Sequence, residues 1–267
     1  MNAPFPVDAF LLNIAASALA VVVVLAVTFT VAQRQGRHSL IDVTWGVGFA
    51  LIAVVSAALG TAHGDVLRGW LLAVLTAVWG LRLAWHLGQR SRGAGEDPRY
   101  ERLLAGPPAR RAWRAVGLVY LPQGALMLLI SMPIQVAAYT SGPVGWLAVL
   151  GTGLWIWGFT FESVADAQLA RFKAEPANRG QIMDRGLWSW TRHPNYFGDA
   201  CVWWGLFLIA AESWPGVVTV FAPMVMTYLL TRGSGKRLLE QRMRDRPGWD
   251  DYVRRTSGFV PMPPRRN

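Results

Sequence analysis

The sequence predicts an all-α integral membrane protein, a bundle of seven transmembrane helices. Three observations carry this. Of the 267 residues, 53% are hydrophobic, and they gather into long runs instead of being spread along the chain. Several runs reach the roughly 20 residues that a helix needs to cross a hydrocarbon core. The basic residues, finally, alternate from one connection to the next.

The first run, residues 9–32, contains no charge. Others follow at about 39–60, 66–88, 115–139, 143–161, 200–211 and 214–231. The run before Trp214 is short, and Pro215 and Gly216 separate it from the next, so it reads as a shorter helix or one leg of a tight pair. Gly46-Val47-Gly48 and Gly151-Thr152-Gly153 look like parts of a dinucleotide loop. Both lie inside spans and lack the third glycine, which points to close helix packing. The whole chain reads as one transmembrane domain.

The connections confirm the count. The first has Arg34 and Arg37, the third seven basic residues, the fifth five, and the tail from Arg232 ten. The second has only Arg68, the fourth and sixth have none, and Arg82 lies within a span. One side thus holds 24 of the 26 basic residues. The positive-inside rule then places the N-terminus outside and the C-terminus in the cytoplasm. The net charge of +10 follows from topology and anionic lipid. No base-stacking or groove-reading element accompanies it, so nucleic acid is not expected as a partner. The N-terminus lacks the positive region of a signal peptide, and the first span is read as retained. Cys201 is the sole cysteine, which excludes an internal disulfide. His38, His63, His86 and His193 have no ligand-like spacing, so no catalytic metal is expected.

Arg192-His193-Pro194-Asn195-Tyr196-Phe197-Gly198-Asp199 is the most informative stretch. It crowds two cationic side chains, an amide, a phenol and a carboxylate at the mouth of a span, where polar groups are costly unless they line a protected or watered cavity. The alternative is an interfacial turn bent by Pro194. Other ionisable residues sit at the same membrane face. Arg82 and His86, four apart, share a helical face, and so do Glu162 and Asp166. Asp42 stands near the start of the second helix, where an N-terminal carboxylate beside the macrodipole is the plain reading. Lys236, Arg237 and Glu240 follow the last span at helical spacing; such a helix either lies on anionic lipid or folds back onto a polyphosphate.

The stretch Gly186-Leu187-Trp188-Ser189-Trp190-Thr191-Arg192-His193-Pro194-Asn195-Tyr196-Phe197-Gly198-Asp199 resembles the C-terminal half of the steroid 5α-reductase superfamily. That superfamily also includes sterol C14 reductases and, more distantly, isoprenylcysteine carboxyl methyltransferases. Ser39-Leu40-Ile41-Asp42-Val43-Thr44-Trp45-Gly46, Trp79-Gly80-Leu81-Arg82-Leu83, Gly95-Glu96-Asp97-Pro98-Arg99-Tyr100 and Ser257-Gly258-Phe259-Val260-Pro261 are similar to its uncharacterised bacterial branch. The resemblance implies seven helices and a cytoplasm-facing cavity for NADPH, with residues 1–139 on the substrate side and 140–267 on the cofactor side. It implies cofactor contacts at Arg82, Asp166, Arg171, Arg192, His193, Asn195, Tyr196, Asp199, Lys236, Arg237 and Glu240.

The steroid reductases place a Tyr on the third helix and a Gln-Glu pair on the second. This chain has Trp79 near that Tyr, and Asp42 and Trp45 on the second helix. An indole is no acid, so either Asp42, protonated through burial, is the expected proton donor or the substrate is not a 3-ketosteroid; Trp45 and His86 complete the expected catalytic set. The expected activity is NADPH-dependent reduction of a C=C bond, conjugated to a carbonyl, in a steroid-like or other lipophilic substrate. The expected location is the bacterial inner membrane, with lipid and the substrate as partners and no obligate protein partner. An S-adenosylmethionine-dependent methyltransferase of a prenyl or other lipid is the enzyme alternative. S-adenosylmethionine has no phosphates and would not need this density of arginine. A membrane scaffold or transporter is the non-enzyme alternative, and it fits less well because the ionisable groups gather at one face, away from the midplane.

Overall fold

In the computed structural model, which describes residues 4–233 and 235–265, the chain is helical throughout. Among the described residues there is no strand, only an isolated parallel bridge between Thr191 and Ser257. Helix α1 (Val7–Gln35) ends at Gly36, whose left-handed φ of 67° turns its N–H onto the Ala32 carbonyl. Helices α2 (Leu40–Gly60) and α3 (Val66–Arg90) follow. Asp65 caps α3 by accepting from the Arg68 N–H at 2.7 Å.

The short helices α4 (Pro98–Leu103) and α5 (Pro108–Ala115) come next. The latter runs through a π-helical turn at Val116–Tyr120 into α6 (Leu121–Ile130). The expected fourth span therefore begins earlier than residue 115 and stops at 130. Pro133 is the cause, because its ring clashes with the carbonyl four residues back and it has no N–H to give. The chain restarts as α7 (Met132–Ala137). Helix α8 (Trp146–Ala174) is longer than the expected 143–161. Its polar continuation, Glu162 to Ala174, is rich in Ala, Gln, Leu, Arg and Lys, all strong helix formers. Helices α9 (Leu187–Trp190), α10 (Pro194–Ala210), α11 (Phe221–Thr231), α12 (Lys236–Met243) and α13 (Trp249–Arg255) complete the described chain.

Among the described residues, six helices are long and apolar enough to cross a membrane: Val7–Gln35, Leu40–Gly60, Val66–Arg90, Ala109–Ile130, Trp146–Ala174 and Gly216–Met243. Helix α10 has 17 residues. These features define an integral membrane protein built of helices.

The chain forms two compact units, Met1–Ala148 with Ile209–Ala222, and Val149–Leu208 with Pro223–Asn267. In the first, α2 runs between α1 and α3. Thr28 and Thr44 share a hydrogen bond at 2.8 Å. At Gly46 and Gly80 a Cβ on either residue would run into the other's carbonyl. Such close approach is how membrane helices gain packing contacts when lipid offers no hydrophobic drive. Phe49, Ile52, Leu72, Trp79 and Met127 fill the interior and are fully buried. Arg68 is also fully buried. Its guanidinium donates to Thr140 Oγ1 at 3.0 Å and to the carbonyls of Gly142 and Pro143 at 3.0 and 2.9 Å. In the second unit, α8 and α10 pack antiparallel through two glycine pairs, Gly158 on Gly198 and Gly151 on Gly205.

Candidate functional site

The expected site residues divide between the units. Asp42, Trp45, Arg82 and His86 belong to the first, and Asp166, Arg171, Arg192, His193, Asn195, Tyr196, Asp199, Lys236, Arg237 and Glu240 to the second.

The second unit is assembled by its tail. Residues 181–193 are a loop and one helical turn with little core of their own, and the C-terminal segment holds them. Arg255 pairs with Asp184, and the Tyr252 hydroxyl donates to the Trp188 carbonyl at 2.7 Å. The Thr191 hydroxyl donates to the Phe259 carbonyl, and the Arg192 N–H to that of Ser257, both at 2.9 Å. From the opposite side, Trp188 Nε1 donates to the Ala165 carbonyl of α8 at 3.0 Å. Pro194 then opens α10, its fixed φ suited to a first helical position.

This scaffold aligns the polar side chains. Arg192 Nε donates to Glu240 Oε1 at 2.9 Å, and its Nη1 to the Thr256 carbonyl at 2.6 Å. His193 Nε2 meets the same Glu240 oxygen at 3.1 Å, and its ring stacks on Tyr196 with centroids 5.5 Å apart. Burial lowers the His193 pKa; the Glu240 hydrogen bond works against that shift, while Lys236 and Arg192 add to it. Asn195 Nδ2 donates to Asp166 Oδ1 at 3.1 Å, and Asp166 and Glu162 are both buried. Asp199 stands one turn beyond Asn195 on α10. A Cβ on Gly258 would lie 2.7 Å from Lys236 Nζ and 3.2 Å from Arg192 Nη2. Two cations thus converge over a stretch of bare backbone. Arg171 and Arg237 are exposed on the surface of this unit.

In the first unit Asp42 is an acceptor twice over. Its Oδ1 takes the Tyr100 hydroxyl at 2.6 Å and its Oδ2 takes Arg99 Nη2 at 2.7 Å. Gln123 Nε2 in turn lies 3.4 Å from the Tyr100 oxygen. The carboxyl expected to be a buried, protonated donor is therefore half-exposed and ion-paired, and the O–H of the cluster belongs to Tyr100. Burial and the Asp42 charge push the Tyr100 phenol above its usual range. Trp45 packs edge-on to Phe49, which meets Trp79 in the same way. Arg82 and His86 lie four apart on α3 and are half-buried.

Sequence reasoning gave Arg99, Tyr100, Gln123 and Gly258 no role. The first two stood in plain view in the dense polar run 95–100, but which helix they would dock on depends on tertiary structure. Gln123 carried no signal of its own, and Gly258 stood only within the 257–261 motif, with no role attached.

An all-helical membrane protein with a buried polar cluster at the start of a helix is a broad class. Within it, the chain belongs to DUF1295, a family described as proteins of unknown function, whose model matches residues 28–256. No curated protein and no solved structure matches the chain.

Proposed function

We propose that this protein is an NADPH-dependent membrane reductase of a C=C bond, conjugated to a carbonyl, in a lipophilic substrate. The observation that carries the reading is the pair of cations, Arg192 and Lys236, over the backbone of Gly258. The cradle would be filled by any side chain at 258, and it suits a phosphate oxygen, offering two charged donors over open backbone. In this reading Arg192 and Lys236 hold phosphate, with Arg171 and Arg237 as further cations of the same unit. Asn195, Asp166 and Asp199 orient the polar groups of the cofactor, and Glu240 keeps Arg192 and His193 in place, with Tyr196 against the His193 ring. NADPH, when bound, supplies the hydride. The resemblance to steroid 5α-reductase-like proteins supports the same assignment.

Asp42, Trp45 and His86 remain our catalytic set, with one change of role. Asp42 accepts the Tyr100 O–H, and in this reading the substrate oxygen takes that one O–H in place of Asp42, whose carboxylate stays paired with Arg99. Trp45 lines an aromatic wall against which an apolar ring system packs.

Seven spans complete the reading. Helix α10, at about 1.5 Å per residue, is about 25 Å long, near the lower limit for crossing a hydrocarbon core. Counting it as the sixth of seven spans puts 24 of the 26 basic residues on one side and so places the N-terminus outside and the C-terminus in the cytoplasm, in a bacterial inner membrane.

Thermal unfolding of the purified protein with NADPH and with S-adenosylmethionine tests the cofactor, since a ligand of the folded state raises the apparent Tm. A rise with NADPH alone supports the reading. A rise with S-adenosylmethionine alone would replace it by a lipid methyltransferase, and no rise with either would favour a protein without a nucleotide.

A further inference from the structure

Residues 94–104 are attached to the first unit in an unusual way. Glu96 reaches across to the start of α2, where its carboxylate accepts the backbone N–H groups of His38 and Ser39. These are donors that a helix N-terminus leaves without intrahelical partners, and Ser39 makes no side-chain cap of its own. The cap therefore comes from a residue 57 positions away. One turn further along α2, Asp42 holds Arg99 and Tyr100. Arg99 is braced by Asp97, which accepts from its Nε at 3.1 Å and from its backbone N–H. Every polar residue of 96–100 thus closes onto α2 or onto another that does. The segment also inserts Tyr100 and Leu104, which are buried.

Its ends are built differently. Gly93 and Gly106 have φ of 70° and 138°, conformations that L side chains rarely adopt. A Cβ on Gly93 or Gly95 would meet nothing within 4 Å. The segment is stapled in the middle and unobstructed at its N-terminal end.

We propose that residues 94–104 form a hinged lid over the start of α2, latched by Glu96 and Asp42, and that its lifting exposes Asp42, Tyr100 and Gln123 to a ligand. Two carboxylate latches and two inserted side chains give a closure that is specific yet small beside the packing of α1, α2 and α3. Opening then occurs without loss of the bundle, as sub-global openings do. The lid closes over the Asp42–Tyr100 pair of the reductase reading, but its test needs neither cofactor nor turnover, so the two can fail separately.

Hydrogen exchange of the full chain, purified in detergent, tests it by mass spectrometry of peptides covering 38–43, 94–104 and the interior of α2 and α3. Glu96→Gln should speed exchange in 38–43 and 94–104 by roughly tenfold, the effect of losing charge-assisted hydrogen bonds, and leave the interior peptides unchanged. Arg99→Lys, which keeps the charge but not the fork, should produce the same pattern more weakly. Unchanged exchange in 94–104 would show that the carboxylates are no latch. Equal acceleration in every peptide, for both variants, would show that the segment is part of the core fold. Either result overturns the lid.

Discussion

The side-chain amide of Asn195 donates to Oδ1 of Asp166 across 3.1 Å, tying the first turn of α10 to the far end of α8. Both groups are polar, Asp166 is buried, and the two helices also meet by backbone contact at Gly158 and Gly198. Replacing Asn195 by Ala should therefore reduce the Tm shift produced by NADPH at least severalfold. The apo Tm should fall by only a few degrees, as expected for one lost hydrogen bond of about 1 kcal/mol. An equal loss of folding and of binding would make the pair a structural strut.

Acidification should destabilise the protein in two stages. His38 and His193 are both held below the ordinary value of 6.5, chiefly by burial. The unfolded chain thus takes up their protons first, and stability falls as pH drops from about 6.5 through the folded values. Burial alone would raise the Glu96 pKa, but the hydrogen bonds from Ser39, His38 and Asp97 outweigh it and hold it below 4.5. Its contribution is present above 4.5 and disappears as pH falls through its folded value. A pH series of melting curves should show both stages, and Glu96→Gln should shrink the lower one, leaving the share of Glu240, where burial is outweighed by His193 and Arg192 and the carboxyl is held at about 2.

Gly46→Ala should disrupt the first unit. The added methyl would run into the Gly80 carbonyl, which is backbone and cannot swing aside, so α2 and α3 must separate. We expect a loss of about 1–3 kcal/mol, the range for overpacking, read as a fall in the detergent melting temperature. Ala at Gly153, where a Cβ meets nothing within 4 Å, is the matched control and should leave the Tm unchanged.

Reporter fusions after residues 64 and 142 should read as outside, and one at the C-terminus as inside. A C-terminus outside would remove both the topology and the cytoplasmic site. It would also show that α10 does not cross.

Much of the fold was legible because a bilayer imposes length and polarity on the chain directly. The uncharged run 9–32 and the alternation of basic connections require nothing beyond counting. The extent of α8 was not legible in this way, since hydropathy ends near residue 161 while helix propensity continues to Ala174. The break at Ser131 follows from Pro133, a local rule that an apolar average hides. At the site, the acidic and basic residues stood out by type. Their pairings did not, because the partner of Asp42 lies 57 and 58 residues away and is fixed only when the 95–100 run has docked. Asp42 was thus expected as a donor, whereas its carboxylate accepts from Tyr100 and Arg99.

The clamp on residues 181–193 also bears on the order of events during synthesis. Arg192 is anchored by the carbonyl of Thr256, 64 residues later in the chain, and the segment that fixes Thr191 extends to Phe259. Helices α8 and α10 can enter the bilayer long before that segment leaves the ribosome. Until it does, Arg192 and Lys236 have no Gly258 backbone to close over, and Arg192 and His193 remain on an untethered loop. A nascent chain stalled short of residue 256 would therefore hold its apolar helices without the contacts that fix Thr191 and Arg192.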